Sequence, residues 1–150
     1  MTHIPVGNGD STVGRFGPYG FVIDLVRNHV HEVLLELVGV TRVFLVLTHD
    51  HQDHVSGYPE FMHHANARGM EVDYVFVPVF EFTEEKSKRK NLSKIMQDVK
   101  VNNKHVHHPK LGEIFHLGEI KLHCIQPPNI NTNDVNDTSL CFQLQWKFFQ

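Results

Sequence analysis

At 150 residues the chain is long enough for one hydrophobic core and too short for two ordinary domains. Hydrophobic residues make up 41% of the sequence and charged residues 21%, which is typical of a soluble globular protein and argues against intrinsic disorder. A formal net charge of −3 does not indicate general binding to nucleic acid, although it is compatible with a local basic surface.

The cysteines and the N-terminus bear on the compartment. Cys124 and Cys141 lie in apolar, strand-like segments without CxxC spacing, so we expect two small buried side chains and no disulfide. Residues 1–5 lack the basic and apolar regions of a secretory signal, and no apolar run approaches the length of a membrane span. These features predict a cytoplasmic protein under reducing conditions, with no membrane partner.

Short strands joined by glycine turns are predicted over residues 4–25. Residues 6–12 (Val-Gly-Asn-Gly-Asp-Ser-Thr) supply the first turn, and residues 16–20 supply the second. Residues 21–26 are an apolar strand that carries one carboxylate, Asp24, near its end. An acidic residue in that position usually caps a strand or forms a turn.

Two amphipathic helices are predicted, one before and one after the strand at residues 42–48. The first covers residues 28–38, with Asn28 as its N-cap and Gly39 as its stop. The second has its apolar positions at Tyr58, Phe61, Met62 and Ala65 and ends at Gly69. The histidines of these helices are assigned to the solvent side and not to a metal site: His29, His31, His63 and His64.

Four side chains able to bind a metal follow the apolar strand at residues 42–48: His49, His51, Asp53 and His54. Imidazole nitrogen and carboxylate oxygen are ligands for Zn²⁺ and related ions. In an extended backbone His49 and His51 project to the same side and can share one ion, while the next two ligands can converge on a second ion at the turn. A random chain of this composition would contain such a pattern only about 0.005 times, so metal binding is favoured over chance.

Strands and polar segments make up the rest of the chain. A buried strand is predicted at residues 72–79, and a helix over residues 83–100 has a basic face. A solvated surface is the favoured interpretation of that face, with contact to phosphates as the alternative. The histidine-rich residues 102–109 are expected in a surface loop, and a hairpin turns at Gly118. The alternation of strands and helices predicts an α/β layered domain.

Residues 48–57 (Thr-His-Asp-His-Gln-Asp-His-Val-Ser-Gly) resemble the signature loop of the metallo-β-lactamase fold superfamily. The resemblance implies an αββα sandwich with a hydrolytic site for one or two metal ions on the shared edge of its two sheets. It assigns His49 and His51 to the first ion and Asp53 and His54 to the second, with Zn²⁺ expected and Mn²⁺ as an alternative. Asp53 would also help to orient the nucleophile, which makes it the candidate catalytic residue.

Residues 6–11 with 22–24, and residues 136–140, resemble the competence-protein (ComEC-like) branch of this superfamily. In that branch the equivalent of Asp24 lies beneath the metal loop, so the resemblance implies that Asp24, Asp10 and Asn136 support the ligands or the loop backbone. The branch usually has a glycine two residues after this aspartate, where this chain has Val26. The implied substrate is a phosphodiester, either a small molecule or a nucleic acid.

The superfamily pattern extends further than this sequence. In it a later strand carries a metal-bridging aspartate and a final histidine follows, and neither is found before Gln150. We therefore expect a single domain over residues 1–150, formed by the N-terminal half of the sandwich plus the first strand of the second half. Two functions stay open: a metal-dependent hydrolase that uses metal-bound hydroxide, and a truncated or degenerate relative that binds metal without catalysis.

The strand predicted over residues 139–148 alternates strictly between apolar and polar residues. Its apolar face, which the second half of the fold would cover, carries Leu140, Phe142, Leu144, Trp146 and Phe148. Without that cover we expect self-association through this strand, aggregation, or disorder of residues 139–150.

Overall fold

Strands from across the chain build a six-stranded mixed sheet. The computed structural model describes residues 2–5, 10–48, 55–77, 106–126 and 141–146. In this part of the chain the first sheet contains, from one edge to the other, β1 (Thr2–Pro5), β2 (Asp10–Phe16), β3 (Tyr19–Ile23), β4 (Arg42–Val46), β5 (Glu71–Phe76) and β6 (Val106–His107). Strands β1 to β3 are antiparallel neighbours, whereas β3 to β6 run parallel.

The central strands of this sheet are covered on both faces. Along β4, Val43 and Leu45 belong to one hydrophobic cluster and Phe44 and Val46 to another, and all four are buried. A parallel strand with no solvent face is continuously hydrophobic, which explains the unbroken apolar run in the sequence. The strand predicted at residues 42–48 is thereby confirmed over Arg42–Val46.

A three-stranded antiparallel sheet packs on the first sheet. It contains β7 (Ile114–Leu117), β8 (Ile120–Gln126) and β9 (Cys141–Trp146), in that order. The predicted hairpin turn is confirmed at Gly118, which has a φ of 59°. A Cβ atom at Gly118 would lie 2.9 Å from Cε2 of Tyr19, so the turn approaches β3 too closely to accept a side chain.

Two helices cover the other face of the first sheet: α1 (Val30–Glu36) in the connection from β3 to β4, and α2 (Tyr58–Ala67) in the connection from β4 to β5. The prediction for α2 is confirmed, since its four apolar residues are buried and Gly69 follows it with a φ of 71°. No helix in the described part of the chain is long and apolar enough to cross a membrane.

The first helix is shorter than predicted. Asn28 lies in a 3₁₀ turn at Arg27–His29, and the N-cap position belongs to His29. Val38 is 57% exposed and is not part of the apolar stripe. The helix ends at Glu36, so Val38 lies in the turn that follows it. The chain changes direction at Gly39, which has a φ of 84°.

Two hydrophobic clusters fill the spaces between these layers. The larger cluster joins α1 and α2 to the first sheet, and the smaller, rich in aromatic residues, lies between the two sheets. Phe76 is central to the smaller cluster, with its ring centroid 4.7 Å from that of Phe115 and 5.4 Å from that of Phe142. The described residues therefore form the layer order helices, sheet, sheet, as in the first three layers of the expected αββα sandwich.

The expectation of a surface loop at residues 102–109 is wrong for Val106 and His107. These two residues pair in parallel with β5 and form β6. The His107 ring lies 5.0 Å from the Tyr74 ring, measured between centroids, and it also lies beside the rings of Phe76 and Phe115. Backbone pairing with β5 is a long-range contact that the local sequence pattern does not report.

The alternation predicted for β9 is confirmed over its middle residues. Phe142 and Leu144 are half-buried, and Gln143 and Gln145 are exposed. Phe142 and Leu144 pack against the cluster between the two sheets, so the first sheet contributes to their cover. The expectation that a further half of the fold covers this face stays a prediction, and the side chains of Leu140, Trp146 and Phe148 lie outside those that the structure describes. The helix predicted over residues 83–100 lies outside the described residues.

Candidate metal centre

The parallel strands β3, β4 and β5 all end at the same edge of the first sheet. Backbone hydrogen bonds continue just past their ends: the Asp24 N–H donates to Val46 O (2.8 Å) and the Leu47 N–H donates to Phe76 O (2.9 Å). In open α/β sheets, ligands bind outside the carboxyl ends of the strands. The sequence predicts the metal loop, residues 49–54, directly after this edge.

The structure does not describe the predicted ligands themselves. His49, His51, Asp53 and His54 lie outside the described residues, as does Asn136. Their assignment to metal ions, and that of Asp53 to catalysis, stays a prediction. What the structure does define is the chain on both sides of the loop, at Thr48 and from Val55 onward.

The residue that enters the loop is held by a carboxylate. Oδ1 of Asp24 accepts a hydrogen bond from the Thr48 N–H (2.8 Å), and Oδ2 accepts one from the Thr48 hydroxyl (2.7 Å). Asp24 is only 5% exposed and has a φ of 60°, the left-handed region that non-glycine residues rarely adopt. A backbone in this region and a buried carboxylate thus hold the residue at which the loop begins.

The residues that leave the loop are held by the same connection. The Leu25 carbonyl accepts a hydrogen bond from the Gly57 N–H (2.9 Å), and the Arg27 N–H donates to Oγ of Ser56 (3.1 Å). A Cβ atom at Gly57 would lie 2.8 Å from Cγ2 of Val30. Gly57 thus permits a close approach between the end of the loop and the start of α1.

Residues 24–27 therefore hold both ends of the loop, Thr48 on one side and Ser56 with Gly57 on the other. Fixing the two ends removes part of the conformational freedom that the loop would lose on binding an ion. This frame fits a metal site, because three imidazoles and a carboxylate suit Zn²⁺, Mn²⁺ or Fe²⁺ once their backbone is positioned.

The backbone angles of Val26 explain why this chain does not need the glycine that the competence-protein branch usually has at this position. Its φ of −97° and ψ of 132° are extended backbone that any residue can adopt. The left-handed residue in this connection is Asp24, two positions earlier. The turn therefore does not require glycine at position 26.

Asp10 and Ser11 lie at the start of β2. The sequence placed them in the first glycine turn, but Asp10 already pairs with Pro5 and Ser11 with Ile4 in the sheet. Because Thr12 pairs with Ile23, Ser11 lies one step further along, beside Asp24. The Ser11 hydroxyl is buried and has no hydrogen-bond partner within the described part of the chain. The role assigned to Asp10 stays a prediction.

A second group of metal-binding side chains lies on the helices. One ligand atom each from His31, Glu60 and His64 lie within 4.8 Å of one another. The sequence placed both histidines at the solvent side and excluded them from metal sites; His31 is indeed exposed, but the three side chains converge. Only the packing of α1 against α2 brings them together, so no local sequence pattern could reveal the group.

The fold is that of the metallo-β-lactamase-like domain, a conclusion that comes from solved structures. A histidine-to-asparagine mutant of a flavo di-iron protein from Thermotoga maritima matches 91% of this chain and 31% of its own, with a TM-score of 0.53 and 16% identity. A flavoprotein from the same organism also matches 91% of this chain, covering 30% of its own, with a TM-score of 0.53 and 17% identity.

At these identities the likeness concerns the fold alone. The chain spans about 31% of the length of the first of these proteins. No protein-family model matches the sequence, and no curated protein matches it. The chain thus shares an α/β fold with these proteins, and it carries a group of side chains able to bind a metal.

Proposed function

We propose that this chain is a metal-dependent hydrolase whose site is the loop at residues 49–54. The observation that carries the proposal is the support of both loop ends by residues 24–27, above all the pair of hydrogen bonds from Thr48 to Asp24. The metallo-β-lactamase-like fold adds support, because the loop follows β4 at the edge where the parallel strands end. His49 and His51 would hold one ion, and Asp53 and His54 a second.

The expected ion is Zn²⁺, with Mn²⁺ as an alternative, and the similar solved structures named for di-iron add iron to the ions to be tested. Such an ion supplies a Lewis acid and lowers the pKa of a bound water to near 7. The residues of the chain then have three tasks. The histidines would hold the ion, Asp53 would orient a water molecule, and Asp24 would keep the loop backbone in place through Thr48.

For the substrate we propose a phosphodiester. The support is the resemblance of residues 6–11 and 136–140 to the competence-protein branch, together with the basic residues of 83–100. Nucleic acid and small phosphodiesters share this chemistry. A relative that binds metal without turnover is the second candidate, since the solved structures with 16–17% identity support the fold alone.

The test compares the wild-type chain with the His49→Ala/His51→Ala variant. Metal content after dialysis, measured by plasma emission, should fall in the variant. Hydrolysis of bis-p-nitrophenyl phosphate should disappear both in the variant and after chelation. Equal metal content in the two chains would overturn the ligand assignment. Metal binding without cleavage would favour the second candidate, and cleavage of nitrocefin alone would overturn the phosphodiester class.

A further inference from the structure

The close approach of α1 to α2 brings surface side chains of the two helices together. Val30 is the first residue of α1, and its Cγ2 atom would lie 2.8 Å from a Cβ atom at Gly57, which precedes α2. His31 follows Val30, and Glu60 lies in the first turn of α2. Glu60 and His64 are separated by one helical turn, so they share a face of α2.

The distances within this group are short. His31 Nε2 lies 4.0 Å from Glu60 Oε1, and the ring centroids of His31 and His64 are 5.5 Å apart. One ligand atom from each of the three residues falls within 4.8 Å of the other two. Glu60 and His64 are half-buried, whereas the His31 side chain is 78% exposed and has room to rotate.

An ordinary ion pair accounts for this arrangement less well than a metal site does. An exposed pair at 4.0 Å contributes little to stability and leaves His64 unused. A tetrahedral Zn²⁺ ion bonds nitrogen and oxygen at about 2.0–2.2 Å, which places ligand atoms roughly 3.4 Å apart. Rotation of the exposed side chains by about an ångström would therefore bring all three within bonding distance.

The neighbouring histidines differ from these three. Nδ1 of His29 lies 2.8 Å from a carboxylate oxygen of Glu32 on its own helix. His63 is exposed, and its ring lies 5.5 Å from that of His64, but it is not one of the converging group. His63, which lies beside His64 on α2, thus provides a matched control.

We propose that His31, Glu60 and His64 form a surface site for Zn²⁺ that joins α1 to α2. Two imidazoles and a carboxylate are a familiar ligand set for this ion, with solvent completing the fourth position. The site uses none of the residues 49–54 and does not depend on the hydrolase proposal. Binding would favour the folded state, since the ligands come from two helices that only folding brings together.

The experiment counts zinc in a chain without the loop ligands, His49→Ala/His51→Ala/Asp53→Ala. After dialysis against buffered zinc, this chain should retain one equivalent, and adding His31→Ala/His64→Ala should remove it. His63→Ala should leave the equivalent in place. Zinc at about a hundredfold above its dissociation constant should raise the thermal midpoint by about 5–10 °C, and this rise should vanish with the two helix histidines.

Retention of zinc after His31→Ala/His64→Ala would overturn the proposal, and so would an equal loss with His63→Ala. If the loop variant does not fold, the comparison is made in the wild-type chain, where His31→Ala/His64→Ala should lower the zinc content by one equivalent. No change there would also overturn it. In chelator, variants at these exposed positions should melt as their parent chains do, which excludes a general folding defect.

Discussion

Asp24, just past the end of β3, accepts two hydrogen bonds from Thr48, the residue that enters the predicted metal loop. The bonds measure 2.8 Å and 2.7 Å, one to each carboxylate oxygen. One acceptor atom serves the Thr48 backbone and the other its hydroxyl. The position of the loop is thereby linked to a residue 24 positions away in the sequence.

Asp24→Ala should destabilise the chain and lower its metal content. The change leaves a partly buried N–H and hydroxyl without their acceptors, at a cost of about 1–3 kcal/mol, and alanine tolerates the φ of 60° poorly. Asp24→Asn keeps one acceptor and should fall between alanine and wild type. Urea unfolding and metal analysis measure the two effects.

Asp73→Asn is the matched control for Asp24. This carboxylate is half-buried and lies 3.1 Å from Nε of Arg42, and it makes no hydrogen bond to Thr48. Its replacement should leave metal content unchanged. If Asp24→Ala and Asp73→Asn behave alike, Asp24 does not position the loop.

Thr48→Val should separate the side-chain hydrogen bond from the backbone one. Valine has nearly the same shape as threonine but leaves Oδ2 of Asp24 without its hydroxyl donor, so we expect a loss of about 1–3 kcal/mol. Thr48→Ser keeps the hydroxyl and should recover most of that loss. Stability measured by urea unfolding is the readout, and equal loss in both variants would contradict a role for the hydroxyl.

Local patterns in the sequence were sufficient to predict several elements. The apolar run of β4 and the spacing of Tyr58, Phe61, Met62 and Ala65 in α2 report burial directly, because each pattern belongs to one element. The histidine-rich loop was also visible as a pattern of ligand types. Each of these three features is determined by residues that are close together in the sequence.

The contacts that frame the site depend on packing between distant residues, and no local pattern contains them. Gly57 is needed because Val30 and the Val26 backbone approach it, which is decided by the placement of α1. The pattern of each helix alone predicts solvated side chains for His31 and His64, because their convergence depends on the packing of α1 against α2. Pairing of β6 with β5 was missed for the same reason.

Gly57→Ala should destabilise the chain by about 1–3 kcal/mol, because a well-packed site accepts no extra methyl group without movement. The new Cβ would lie 2.8 Å from Cγ2 of Val30 and 3.0 Å from the carbonyl of Val26. Adding Val30→Ala should relieve only the side-chain contact, so a double-mutant cycle in urea should give a favourable coupling energy. Strict additivity of the two changes would contradict this packing.

The outer strand of the second sheet should mediate self-association. In the described part of the chain β9 is one of the two end strands of this sheet, paired with β8, and such edges offer backbone groups to a second molecule. Phe142 and Leu144 face the core, so association would proceed through the edge and not through their apolar face.

Charges near an edge strand oppose pairing, and Gln143 and Gln145 are exposed positions that accept lysine. The Gln143→Lys/Gln145→Lys variant should therefore change monomer stability by no more than about 0.5 kcal/mol while lowering the associated fraction. Size-exclusion chromatography with light scattering, over a range of concentrations, measures that fraction. A wild-type chain that stays monomeric at every concentration, or a variant that associates equally, would show that β9 does not pair between molecules.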